Sequence, residues 1–156
     1  MSTKTPQPGP HYEAMLQLLR TAETLWNSSR LFFSRWDLSP SQFNVLNILR
    51  DHEDGLSQTD LSEALLTHRS NVTGLVDRLE ERALVKRQSV PEDRRAYRVV
   101  LTDAGRKLLQ EILPVYYQAS EEVWSPMSAK RAKELVNELD AIKTQAEVIA
   151  QKYSQK

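Results

Sequence analysis

The sequence predicts a mainly α-helical chain with one small β-hairpin and long helices at both ends. Three observations predict it. Apolar residues recur at helical spacing through almost all of the 156 residues. The period changes only around residues 85–90 and 96–101, which are rich in β-branched residues and flank the polar stretch Pro91-Glu92-Asp93-Arg94-Arg95. Two short helical segments stand directly before that change of period.

The elements follow in order. Residues 1–10 hold three of the seven prolines and show no apolar periodicity, so they read as a flexible tail. Residues 11–37 read as one amphipathic helix, with Met15, Leu18, Leu19, Ala22, Leu25, Trp26, Phe32, Phe33 and Trp36 on its apolar side. Ser39-Pro40-Ser41-Gln42 then restarts a helix: Ser39 caps, Pro40 suits the first position and Gln42 closes a capping box. Leu38 and Phe43 stand where a hydrophobic staple belongs. Ser57 starts a short helix in the same way, with Leu56 and Leu61 as its staple. Thr67 caps another, whose stripe is Val72, Leu75, Val76 and Leu79.

After the hairpin, Thr102-Asp103 opens a further helix, Thr102 as the cap and Asp103 favourable at its positive end. Pro114 is expected to kink it. Ser125-Pro126 breaks the chain. The last helix carries Leu135, Leu139, Ile142, Ala146, Ile149 and Tyr153, a seven-residue repeat sustained for almost three heptads. The expected divisions are a tail at 1–10, a long N-terminal helix at 11–37, a central domain at 38–101 and C-terminal helices at 102–156.

Net charge is zero, but it is not evenly spread. Residues 67–107 carry ten Lys/Arg against six Asp/Glu, while 1–66 carry five against eight. A local positive surface is what phosphate neutralisation requires. Two short helices followed by a hairpin with an arginine-rich tip is the element order of a winged helix-turn-helix. In that arrangement the second helix enters the major groove and the hairpin reaches the backbone or minor groove. The candidate DNA-binding residues of the helix are His68, Arg69, Ser70, Asn71, Thr73, Gly74 and Arg78. Those near its start lie where free N–H groups and the helix dipole favour phosphate. Gly74 costs roughly 1 kcal/mol in a helix interior, which a close approach to DNA would explain. Asp77 would be repelled by DNA and fits better as the orienting partner of a nearby arginine.

The separated motifs Leu56-Ser57-Gln58-Thr59-Asp60-Leu61-Ser62-Glu63-Ala64-Leu65, Val72-Thr73-Gly74-Leu75-Val76-Asp77-Arg78-Leu79-Glu80-Glu81-Arg82-Ala83-Leu84-Val85, Asp93-Arg94-Arg95 and Leu101-Thr102-Asp103-Ala104-Gly105 resemble the DNA-binding core of the MarR family. Leu38 to Leu46 resembles the family's preceding helix. The resemblance implies a homodimer that reads a pseudo-palindromic operator in double-stranded DNA, with repression as the family default. It implies that Met15, Leu18, Leu135, Leu139, Ile142 and Ile149 lie in the dimer interface. It also implies a role for the wing's Asp-x-Arg pair, here Asp93 and Arg95, with Arg95 in the minor groove and Asp93 orienting it. Arg94 stands in for Arg95 or contacts phosphate. A small-molecule pocket, expected to take a flat aromatic or phenolic effector, would draw on Trp26, Phe33, Trp36, Tyr116 and Tyr117. One position departs from the pattern: Ala83 stands where the family often has glycine, at a site suited to a helix C-cap conformation.

Other classes are poorly served. Four glycines, Gly9, Gly55, Gly74 and Gly105, form no phosphate loop, so catalysis is not expected. The absence of cysteine excludes disulfides, thiolate zinc sites and thiol redox sensing. His11, His52 and His68 lack ligand-like spacing, so no metal and no cofactor are expected. No apolar run is long enough for a membrane helix, and a cytoplasmic location follows as the expectation. The alternative reading is a winged helix that contacts protein rather than reading DNA sequence.

Overall fold

The computed structural model describes residues 8–65, 72–90 and 93–154, the side chains of residues 93–96 excepted. The elements are α1 (Pro10–Phe33), a turn of 3-10 helix (Ser34–Trp36), α2 (Pro40–Arg50), α3 (Gln58–Ala64), α4 (Val72–Glu81), β1 (Val85–Val90), β2 (Asp93–Leu101), α5 (Asp103–Trp124) and α6 (Ala129–Ser154). The chain divides into two compact units, Met1–Gln110 and Glu111–Lys156.

Helix α1 begins one residue earlier than expected, with Gly9 as the cap and Pro10 inside the first turn, where a missing N–H costs nothing. It also stops early. Asp37 takes a left-handed conformation with φ 53°. The Leu38 N–H then donates to the Phe33 carbonyl at 3.2 Å and the Asp37 N–H to Ser34 at 3.0 Å. This 6→1 and 5→2 pair is a Schellman closure, and it brings Leu38 and Phe33, both buried, onto the same side. Trp36 therefore lies in the 3-10 turn and not in the long helix.

The α2 start follows the expected chemistry in full. The Gln42 N–H donates to Ser39 Oγ at 3.1 Å, and the Ser39 N–H donates to Gln42 Oε1 at 2.8 Å. Such a cap stabilises a helix by about 1 kcal/mol. The staple residues Leu38 and Phe43 are both buried. Ser57 caps α3 through the Asp60 N–H at 3.1 Å, and its own hydroxyl donates to Asp60 Oδ2 at 2.8 Å.

The core of the first unit gathers Phe33, Phe43, Val45, Leu46, Leu49, Leu61, Val76, Leu79, Val85 and Val99. On α4 the spacing 72, 76, 79 goes inward, while Leu75 is only half-buried at the edge of the stripe. Helix α4 closes with a second Schellman motif: the Leu84 N–H donates to the Leu79 carbonyl at 2.9 Å and the Ala83 N–H to Glu80 at 2.8 Å. Ala83 sits at φ 55°, so the position where the family pattern has glycine does require the left-handed conformation.

The hairpin is antiparallel, with Val85 opposite Leu101 and Arg87 opposite Val99, and a register shift between Ser89 and Val90. Strand β2 starts at Asp93, so Asp93, Arg94 and Arg95 belong to the strand and not, as expected, to the turn. The predicted alternation fails at its far end, where Val99, Val100 and Leu101 are all buried. Here Leu56 forms an isolated antiparallel bridge to Val99, with N–H to carbonyl distances of 3.1 and 2.8 Å in the two directions. Gly55 makes the approach possible. It has φ +72°, and a Cβ there would lie 2.5 Å from the Val99 carbonyl oxygen.

Thr102 caps α5 and also ties it down: its hydroxyl accepts from the Gly105 N–H at 3.0 Å and donates to the Ala83 carbonyl at 2.6 Å. A Cβ on Gly105 would lie 2.2 Å from the Leu84 carbonyl oxygen, so only glycine lets α5 start this close to the α4 closure. In the second unit, α5 continues without interruption past Pro114, and α6 has no buried residue.

Candidate nucleic-acid interface

The outward side of α4 is polar. Thr73, Asp77 and Arg78 are exposed and Gly74 is half-buried. His68, Arg69, Ser70 and Asn71, the expected groups at the start of this helix, lie outside the described residues, as does the Thr67 cap. The side chains of Asp93, Arg94 and Arg95 also lie outside them, although the backbone places all three at the distal end of β2.

What joins helix to hairpin is Arg87, on β1. Its guanidinium donates to Asp77 Oδ1 at 2.5 Å and to Glu80 Oε2, and its backbone N–H donates to Glu80 Oε1 at 2.8 Å. The same guanidinium stands 5.6 Å from the ring centre of Tyr97, the diagonal cross-strand neighbour. The hydrogen bond to Asp77 holds the Arg87 pKa above its ordinary value; partial burial opposes this, and Glu80 adds to it. The arrangement has an electrostatic consequence. Arg87 offsets one of the two negative charges of Asp77 and Glu80 and fixes the wing against α4. Asp77 thus has the arginine partner its position called for. Sequence reasoning did not pick out Arg87 itself: a lone arginine in a strand carries no local sign of a partner ten residues earlier.

A second arginine works at the other end of the helix. Arg82, just past the last residue of α4, donates to the carbonyl oxygens of Trp36 at 3.0 Å and of Asp37.

The expected effector residues do not share one environment. Phe33 is 2% exposed and stacks on Phe43 with ring centres 4.2 Å apart, packed in the core. Trp36 is half-buried, 5.4 Å from Phe32 and 5.0 Å from the Arg35 guanidinium. Trp26 is half-buried. In the second unit Tyr116 is half-buried and Tyr117 exposed, their rings 6.3 Å apart. The first unit has a cavity of about 300 Å³ lined by Arg30, Ser34, Asp37, Leu38, Ser39, Pro40 and Gln42. The second has one of about 430 Å³ where α5 turns into α6, lined in part by Trp124, Met127, Leu135 and Leu139. None of the five aromatic residues lines either of these two cavities. Among the described residues no cluster of His, Asp and Glu could hold a metal ion, and no helix is long and apolar enough to cross a membrane.

Two consecutive short helices, the second polar on its outer side and pinned to a hairpin, define a winged helix-turn-helix DNA-binding protein. A sequence profile described as the MarR family matches residues 36–96. HTH-type transcriptional regulator PapX of Escherichia coli is 31% identical over 116 residues, 73% of this chain and 71% of that one. The crystal structure of a MarR transcription factor from Planctomyces limnophilus is 34% identical with a TM-score of 0.65, over 87% of this chain and 99% of that one. BpsR of Bordetella bronchiseptica, in a structure concerned with regulation of its DNA binding by 6-hydroxynicotinic acid, is 26% identical with a TM-score of 0.67, over 81% of this chain and 98% of that one. The chain belongs to the MarR family. It is a DNA-binding transcriptional regulator and not an enzyme.

Proposed function

We propose that the protein is a cytoplasmic repressor that binds a pseudo-palindromic operator as a homodimer and is released by a small aromatic ligand. One observation carries the reading: an outward polar helix face held by Arg87 against a hairpin whose distal residues are Asp93, Arg94 and Arg95. In this reading Thr73, Gly74 and Arg78, with the residues just before Val72, meet base edges or phosphates in the major groove, and Arg95 enters the minor groove.

Two further observations support the rest. The α6 stripe is apolar yet uncovered, with Ile142 57% and Ile149 43% exposed, and Met15 and Leu18 on α1 are exposed as well. A second copy would bury such faces, and a two-fold dimer matches a two-fold operator. Ligand release is supported by BpsR, whose DNA binding is regulated by an aromatic acid. A ligand acts here only if it favours the arrangement that does not bind DNA.

The test is fluorescence anisotropy with duplex from upstream of the protein's own gene, at two salt concentrations, with unrelated duplex as competitor. Tight, competitor-resistant binding that weakens steeply with salt is expected. Lack of binding to any duplex would favour a protein partner for the winged helix.

A further inference from the structure

We propose that Arg82 is a positioning residue for DNA reading, tying the C-terminal end of α4 to the corner where α1 gives way to α2. The inference rests on the DNA-binding reading above. The end of α1 must find donors for its last carbonyl groups. Three come from its own backbone: Ser34 N–H donates to Arg30, Asp37 N–H to Ser34 and Leu38 N–H to Phe33. The carbonyls of Trp36 and Asp37, just beyond, accept from the two terminal nitrogens of Arg82, more than forty residues away in sequence. The Asp37 carboxylate stands 4.0 Å from the same guanidinium.

Both ends of this link are rigid. Arg82 follows the last residue of α4 and precedes Ala83, whose left-handed turn is locked by the Schellman bonds. Asp37 holds the corresponding turn at the end of α1. A planar guanidinium that bridges two consecutive carbonyls fixes orientation as well as distance, and its charge suits the negative end of a helix dipole. Arg82 is therefore committed inward to backbone and is not available as a phosphate contact. Its part in DNA binding is to set how α4 is held relative to the α1–α2 corner.

Wild type, Arg82→Ala and Arg82→Lys are compared by anisotropy at several salt concentrations, with sedimentation and thermal unfolding as controls. Arg82→Ala should bind operator roughly tenfold more weakly, with dimer intact. Its salt slope should match wild type, because no phosphate contact is lost. Arg82→Lys keeps the charge but not the planar fork, so it should recover part of the affinity. If Arg82→Ala does not fold, the lysine variant against wild type carries the same comparison. An alanine variant that binds as tightly as wild type overturns the proposal, and so does a loss of affinity with the salt slope reduced by about one phosphate. Should wild type bind no duplex, the DNA-binding reading fails instead. Hydrogen exchange across residues 33–39 then decides the tether: lost protection in Arg82→Ala supports it, and unchanged protection overturns it.

Discussion

Helices α4 and α6 are both amphipathic, and they end up in opposite conditions. In α4 the apolar stripe is covered by the protein's own core, and two acidic side chains on its polar side are joined to Arg87. In α6, 26 residues long, no residue is buried, and Val136 and Tyr153 are 64% and 66% exposed. A stripe marks a face that must be covered, but not by what. For α4 the cover lies within the chain. For α6 we propose that it lies in a second copy, which makes the DNA-reading lobe self-sufficient and the last helix dependent on assembly.

The largest test of that contrast is Leu139→Lys. A charge in the proposed seam should convert the dimer to monomer by sedimentation, while the winged-helix signature in circular dichroism persists. A dimer that survives would place the α6 stripe against something else. Next is Leu79→Ala, which empties a fully buried position of α4 and should cost about 2–5 kcal/mol in denaturant unfolding. Ile142→Ala in α6 should instead cost stability only at concentrations where the protein is dimeric, the loss vanishing on dilution to monomer. Equal, concentration-independent losses at the two sites would erase the distinction.

Smaller effects sharpen the lobe itself. Arg95→Ala should weaken operator binding by about 1–3 kcal/mol and leave the dimer intact, and unchanged affinity would remove the wing assignment. Ala83→Gly should be the mildest change and a gain: it relieves a side chain at φ 55° and should raise stability by about 0.5–1 kcal/mol, read as a higher denaturation midpoint.

Much of the lobe was legible because its signals are local. Ser39 and Gln42 close a capping box three residues apart, Leu38 and Phe43 flank it, and Ser57 caps the next helix through the Asp60 N–H. The family departure at Ala83 pointed to a left-handed turn before the backbone was seen. Other features were misplaced for a common reason. The end of α1 depends on Leu38 reaching the core, and that burial overrides a helical pattern running on to Trp36. The β2 alternation breaks where Gly55 and Leu56, more than forty residues earlier, come against Val99 and Val100.

What the sequence by itself determined are the features set within a turn or two of chain: caps, closures, the change of period at the hairpin, the apolar stripes and the basic middle third. Only the tertiary structure decided which groups from distant segments meet. It made Phe33 a core residue stacked on Phe43 and gave Arg87 to Asp77 and Glu80. It also turned Arg82 toward the end of α1. Helix and strand patterns reflect backbone geometry between near neighbours, and they say which way a side chain points. The partner it finds depends on how separate segments pack, and local periodicity does not encode that.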